Sequence, residues 1–306
     1  MPHNHPVPSD LTRRRFLALS TVLPAVALAP ALAGRALAAE APPAVPAGKI
    51  PLGIELYAVR GELTKNLPAT LKAVAAIGYK VVEFYAPYFQ WTPIYAKEVR
   101  MLLDDLGLKC FSTHNHLISY GDGLGRAIEL NQILGTRQMV ISSVGRDPRN
   151  LDNWLKLCET FTKATQELLP HGLTAGFHNH QTEWVKLDGD KRIMDVMAAN
   201  TPKEFVLQLD VGTCVEAGAD PVAWIKANPG RIKSVHLKDW APGKDEDQKG
   251  YRVLFGEGVA PWADIVAAAE SVGGVEFYLM EQEGSRYSEF DTARRCFEAW
   301  QRFRGN

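Results

Sequence analysis

The sequence predicts an α/β fold, a single-domain (β/α)8 TIM barrel preceded by a cleavable signal peptide. Eight short β-rich runs alternate with amphipathic helical stretches. The first units recur at about 28–30 residues, the size of a βα unit. No Gly-rich nucleotide-type turn follows the first strand, which favours a closed barrel over an open doubly wound sheet.

Taken in order, the chain opens with a polar segment and then Arg13-Arg14-Arg15-Phe16-Leu17, an apolar Ala/Leu run to Ala33, and two Ala-Leu-Ala triplets ending at Ala33 and Ala38. A basic start, a modest apolar stretch and a small-residue cleavage site make residues 1–38 a twin-arginine-type signal peptide. Pro24 and Pro30 break the run, and alanine dominates it, so a membrane anchor is disfavoured. Cleavage after Ala38 leaves a Pro-rich tether over 39–49 and the barrel over 50–306. A periplasmic or otherwise exported location is expected, with no membrane attachment after cleavage.

The strands are expected at Leu52–Tyr57, Lys80–Tyr85, Lys109–Thr113, Gln138–Ser142, Leu173–Phe177, Phe205–Leu209, Ile232–Leu237 and Val275–Met280. Strands alternating with helices imply a parallel sheet. The helical stripes between them end in glycine. Leu67, Leu71, Val74 and Ile77 precede Gly78; Val99, Leu102, Leu103 and Leu106 precede Gly107. Ala127, Leu130, Ile133 and Leu134 precede Gly135; Trp154, Leu157, Phe161 and Leu168 precede Gly172. Glycine there is the expected helix stop. The stretch from Trp240 to Trp262 is longer and starts with Pro242-Gly243-Lys244-Asp245-Glu246-Asp247, which reads as a lid or rim loop.

A net charge of -1 gives no electrostatic footprint for nucleic acid. Cysteines stand at 110, 158, 214 and 296, with no C-x-x-C pair. A protein folded in a reducing cytoplasm before export should keep them as free, mostly buried thiols.

Catalytic groups of such barrels sit at the carboxyl ends of the strands. Those ends carry Glu55 and Tyr57, then Glu83, then His114 and His116, then His178, His180 and Glu183. Asp210, His236 with Lys238, and Glu281 follow on strands six to eight. Five of the eight histidines fall at these ends. One such histidine is ordinary packing, but a convergent His, Asp and Glu set suits a divalent ion such as Mn, Co, Fe, Zn or Mg. Asp210 has an alternative role as a helix cap, His236 as a satisfied core histidine, Glu281 as a partner of Arg286, and Lys238 as a partner of Asp239.

The segments Gly53-Ile-Glu-Leu-Tyr-Ala-Val-Arg60, Phe177-His-Asn-His-Gln-Thr-Glu183, Leu209-Asp-Val-Gly212, Ala217-Gly-Ala-Asp-Pro221, Pro229-Gly-Arg-Ile232, His236-Leu-Lys-Asp239 and Gly256-Glu-Gly258 resemble the sugar phosphate isomerase/epimerase family, within the xylose-isomerase-like TIM barrel superfamily. The resemblance covers nearly all of the mature chain in order. It implies one divalent ion, Mn, Co, Mg or Zn, held by a Glu, Asp, His, Glu set at the ends of strands five to eight. Asp210, His236 and Glu281 match three of these. At strand five this chain has His178 where relatives have glutamate, so Glu183 or His178 completes the set, with Glu183 preferred. The implied chemistry is proton transfer beside a carbonyl through an enediolate, giving an isomer or an epimer. Elimination from a 3-keto-glycoside is the alternative on the same site. Glu183, Glu281, His178 and Lys238 are the expected catalytic residues. Glu55, Tyr57, Glu83, His114, His116, His180 and Trp240 are the expected substrate contacts.

Export favours a non-phosphorylated carbohydrate, since sugar phosphates are mainly cytoplasmic. A homo-oligomer is left open. Tyr57, Tyr85, Trp91, Trp184 and Trp240 are candidates to stack on a sugar ring. A non-catalytic periplasmic carbohydrate-binding protein would keep those aromatics without needing Asp210, His236 and Glu281 together. A DNA-repair nuclease on this fold would need a basic surface, against which the net charge speaks.

Overall fold

The structure, a computed structural model, describes residues 50–145, 150–187, 191–244 and 249–305. The expected signal peptide and tether lie outside the described residues, as do 245–248 of the long loop after strand seven. Eight parallel strands close into a barrel in chain order: β1 (Leu52–Glu55), β2 (Val81–Phe84), β3 (Lys109–His116), β4 (Gln138–Ser143), β5 (Thr174–His178), β6 (Val206–Asp210), β7 (Ser234–Leu237) and β8 (Phe277–Met280). Leu52 pairs with Tyr278 and Gly53 with Leu279, so β8 closes on β1. Five of the eight are buried along their whole length, β3, β4 and β5 being the exceptions. This explains why they read as continuous apolar runs rather than alternating ones.

The covering helices begin and end where their sequence directs. The Asn66 side chain accepts from Ala69 N at 2.9 Å to cap Leu67–Ile77. Thr92 caps Pro93–Asp105, Asn150 caps Leu151–Leu168, and Asp220 caps Pro221–Ala227. A side-chain oxygen at that position satisfies amides that have no partner within the helix. Gly78 ends its helix at φ 123, under the Phe297 ring, where a Cβ would clash.

Two layers fill the barrel. Val81, Phe277 and Leu279, with Phe111 against them, form an apolar floor. Two residues further along each strand the same inward face turns polar, because side chains alternate with period two. Thus Val81 is followed by Glu83, and Leu279 by Glu281. In β3 the register against β2 shifts by one between Cys110 and Ser112. That bulge lets Phe111 pack on Phe277, with ring centroids 5.5 Å apart, while Ser112 still reaches Glu83. All four cysteines are free and buried.

Candidate metal centre and substrate cleft

The polar layer brings together residues far apart in the chain. His178 Nε2 lies 3.7 Å from Asp210 Oδ2 and 3.9 Å from Glu281 Oε2. One ligand atom from each of these three side chains lies within 4.8 Å of the other two. His236 joins from β7, its Nδ1 2.7 Å from Glu281 Oε2 and its Nε2 at ion-pair distance, 2.9 Å, from Glu83 Oε1. On the β1–β3 side, Glu55, Glu83 and His114 form a second close group, with His114 Nδ1 3.9 Å from Glu55 Oε1.

Each member is placed by its strand. Asp210 ends β6 and starts the helix Val211–Glu216. Its Oδ1 accepts from Thr213 N at 2.9 Å, so the capping role is real. Its Oδ2 is buried and accepts no hydrogen bond. An anionic oxygen in the interior that accepts no hydrogen bond is costly, and Lys238 Nζ meets it only at ion-pair distance, 3.5 Å. A cation beside it removes that cost, and the lone pairs facing it from His178 and Glu281 are of the kind a divalent ion takes. The donor set therefore fits such an ion, with His178, Asp210 and Glu281 as holders and His236 beside them.

Lys238 follows on β7's inward face. Its Nζ hydrogen-bonds Glu283 Oε1 and lies 3.5 Å from Asp210 Oδ2 and 3.9 Å from Glu281 Oε2. Burial works against its charge, but the three carboxylates outweigh burial and hold the ammonium well above the usual lysine range. Burial likewise opposes the Glu281 carboxylate, yet Lys238 and His236 hold it well below the ordinary range. Burial raises Asp210 despite Lys238, and raises Glu55 strongly, helped by Glu281 and Glu83. Burial lowers His114 and His178, so both rings are neutral with a single proton.

A cleft of about 500 Å³ opens onto this group, lined by Arg60, His180, Lys238, Tyr251, Arg252 and Glu283 among others. Lys238 is common to both, and the His180 ring lies 5.0 Å from that of His178. A groove of about 630 Å³ runs along the barrel's outside, lined by Val215, Pro221, Lys226 and Asp264, and none of the converging side chains reaches it. Of these two, the inner cleft is the one lined by Lys238.

The remaining expected residues divide. Glu183 is not brought to the group. Its Oε2 accepts from the His180 amide at 2.6 Å and its Oε1 from the Thr182 hydroxyl at 2.9 Å, capping the 3-10 turn Gln181–Trp184. The preferred fourth ligand is thus engaged locally, and His178 stands in the strand-five place. Lys238 and Asp239 do not pair, because successive strand-end residues point to opposite sides. Asp239 instead accepts from the amides of Trp240, Gly256 and Gly258 and from Trp262 Nε1. It ties down the loop after β7, and a Cβ on Gly258 would collide with its Oδ1. Arg286 pairs with Glu257 at 2.9 Å, leaving Glu281 to the site. Tyr57 stands at the rim under Arg60, His116 is exposed, and Trp240 is half-buried. Trp184 packs on Trp224 and Trp91 on Phe84, so these two serve the core.

Gln208, Tyr251 and Glu283, like Arg60 and Arg252 in the cleft wall, were not among the expected site residues. Gln208 had a signal, a lone amide inside an apolar strand two positions before Asp210. Tyr251 and Glu283 had none beyond proximity to the long loop and the last strand.

A family model described as xylose isomerase-like TIM barrel matches residues 71–297. Inosose dehydratase of Clostridium botulinum is 25% identical over 174 residues, 52% of this chain and 55% of that protein, so the match spans about half of that relative's length. A sugar phosphate isomerase/epimerase structure from Parabacteroides distasonis superposes with a TM-score of 0.71 at 23% identity, covering 86% of this chain and 97% of the other. The IOLI protein, solved with a zinc atom bound, superposes with a TM-score of 0.65 at 13% identity, covering 83% and 97%. These likenesses in structure speak for the fold.

Proposed function

Because this chain belongs to the xylose isomerase-like TIM barrel family, we propose that it is a divalent-metal-dependent enzyme that moves protons on a non-phosphorylated carbohydrate through an enediolate, as an isomerase or epimerase. The observation that carries this reading is the meeting of His178 Nε2, Asp210 Oδ2 and Glu281 Oε2, with the Asp210 oxygen buried and without a hydrogen bond. A bound divalent ion supplies Lewis-acid stabilisation of the negative charge that develops beside a carbonyl. The zinc atom in the IOLI structure supports the metal, and the names of the isomerase/epimerase and dehydratase relatives support a carbohydrate-like substrate, its lack of phosphate resting on the expected export alone.

The chain's own groups do the rest. Glu281, kept ionised by Lys238 and His236, takes the proton next to the carbonyl. Its depressed pKa secures the ionised form at some loss of base strength, so charge stabilisation is the larger demand. Lys238, kept protonated by three carboxylates, hydrogen-bonds the neighbouring substrate oxygen. Arg60, His180 and Tyr251 line the cleft where the rest of the sugar sits.

The same ammonium favours a second reading, β-elimination from a 3-keto-glycoside. Lys238 would then protonate the departing oxygen, in keeping with a relative named for loss of water. We also propose that residues 1–38 are removed on export, supported by the arginine-rich, Ala/Leu-rich leader; amino-terminal sequencing of the mature protein should begin near residue 39.

The test is proton–deuterium exchange followed by NMR on a panel of keto-sugars and glycosides, using protein loaded with a diamagnetic ion. The expected result is exchange beside the carbonyl, lost in Asp210→Asn. Exchange with release of the aglycone selects elimination. Sugar binding without any exchange would leave a carbohydrate-binding protein and overturn the enzymatic reading.

A further inference from the structure

Beneath the candidate metal group lies a side chain whose hydrogen bonds are complete. Gln208, on β6 and fully buried, donates from Nε2 to Glu83 Oε2 at 2.9 Å and to Ser234 Oγ at 3.0 Å. Its Oε1 faces His114 Nε2 at 2.7 Å and His178 Nδ1 at 3.0 Å. A primary amide has two N–H donors, and both are used on the Glu83 and Ser234 side. The carbonyl oxygen can only accept. Each imidazole nitrogen facing it must therefore carry a hydrogen.

The amide cannot turn over. Reversed, its carbonyl oxygen would stand against Glu83 Oε2, which already accepts the Ser112 hydroxyl, with no hydrogen between the two. Ser234 supports the observed orientation from the far side, its own hydroxyl reaching Gln138 Oε1 at 3.2 Å.

We propose that Gln208 is a positioning residue that fixes the tautomers of two histidines, placing the His178 proton on Nδ1 and the His114 proton on Nε2. The consequence follows from the ring geometry. A neutral imidazole has one donor and one acceptor nitrogen. With Nδ1 protonated, His178 turns its Nε2 lone pair toward Asp210 Oδ2 and Glu281 Oε2, at 3.7 and 3.9 Å. With Nε2 protonated, His114 turns its Nδ1 lone pair toward Glu55 Oε1, which is buried and has no hydrogen-bond partner. One amide thus aims two lone pairs at opposite sides of the polar layer. The significance for metal rests on the proposed function, since an imidazole binds a cation only through an unprotonated nitrogen. The tautomer assignment itself does not.

The experiment is long-range ¹H–¹⁵N correlation NMR on the metal-free protein with ¹⁵N-labelled histidine, at a pH where both rings are neutral, alongside a zinc titration. Wild type should show His178 protonated at Nδ1 and His114 at Nε2. Gln208→Met, close in shape but with no acceptor, should release His178 into mixed tautomers, while His114 Nε2 keeps Glu83 Oε1 at 3.1 Å, and should weaken zinc binding by about 10–100-fold, the usual cost of losing a group that orients a ligand. Wild-type His178 protonated at Nε2 would overturn the proposal, and that spectrum needs no variant. So would an unchanged His178 tautomer in Gln208→Met. Wild type with the expected tautomers but no zinc binding would sink the proposed function and leave the role of Gln208 standing.

Discussion

Asp210 serves two masters, and Asp210→Asn separates them. Oδ1 caps the following helix through Thr213 N, while Oδ2 faces His178 and Glu281 with no hydrogen bond. Asparagine keeps a carbonyl oxygen for the cap and replaces the anionic oxygen with a donor. The metal-free variant should therefore fold with stability close to wild type, since asparagine and aspartate cap about equally well. Asp210→Ala should lose the cap as well, at a cost of about 1 kcal/mol. For a protein of this size that is ~2–4 °C in Tm. A divalent ion at 100 times its Kd should stabilise wild type by ~2.7 kcal/mol. The corresponding rise in Tm is ~5–11 °C. Both variants should lose that rise. The assay is thermal unfolding by circular dichroism, on protein stripped with chelator and on protein reloaded with Mn or Zn. If Asp210→Asn kept the full metal-dependent rise, Oδ2 would not hold the ion and the site assignment would fail.

Three further outcomes follow from contacts around the site. Glu183→Ala should cost about 1 kcal/mol by removing the cap at His180, yet leave metal affinity within about twofold, because the carboxylate touches no member of the group; calorimetric titration checks the second half. Lys238→Met should bind metal at least as tightly as wild type, since a buried ammonium 3.5 Å from Asp210 opposes a second cation, while turnover falls; the two readings should move in opposite directions. Asp239→Asn should cost about 1.5–3 kcal/mol, the scale of a charge-assisted hydrogen bond, and speed amide exchange at Gly256 and Gly258 without moving exchange in the strands.

Much of this architecture is written locally. Most strands are short apolar runs, β3 being the polar exception, and helix caps such as Asn66, Thr92 and Asp220 sit where the helical pattern begins. The strand-end rule placed His178, Asp210, His236 and Glu281 at one mouth because the barrel makes parallel strand ends neighbours whatever their separation in the chain. What the sequence could not supply was competition between local and distant partners. Glu183 looked like a ligand, but three positions after His180 it also fits a helix cap, and that local contact is the one the structure shows. Lys238 and Asp239 looked like a pair until strand geometry sent them to opposite sides. Gln208, a polar residue in an apolar strand, went unremarked because its meaning depends on His114, 94 positions away, and on Glu83, 125 positions away. Such cross-barrel contacts leave no spacing to read.

The most direct measurement is the anomalous scattering of a crystal grown with Mn. A single strong peak within coordination distance of His178 Nε2, Asp210 Oδ2 and Glu281 Oε2, with Glu183 still capping its turn, is the predicted result. A peak elsewhere on the barrel, or bound metal that leaves these three side chains untouched, would contradict the assignment of this polar layer as the working centre of the protein.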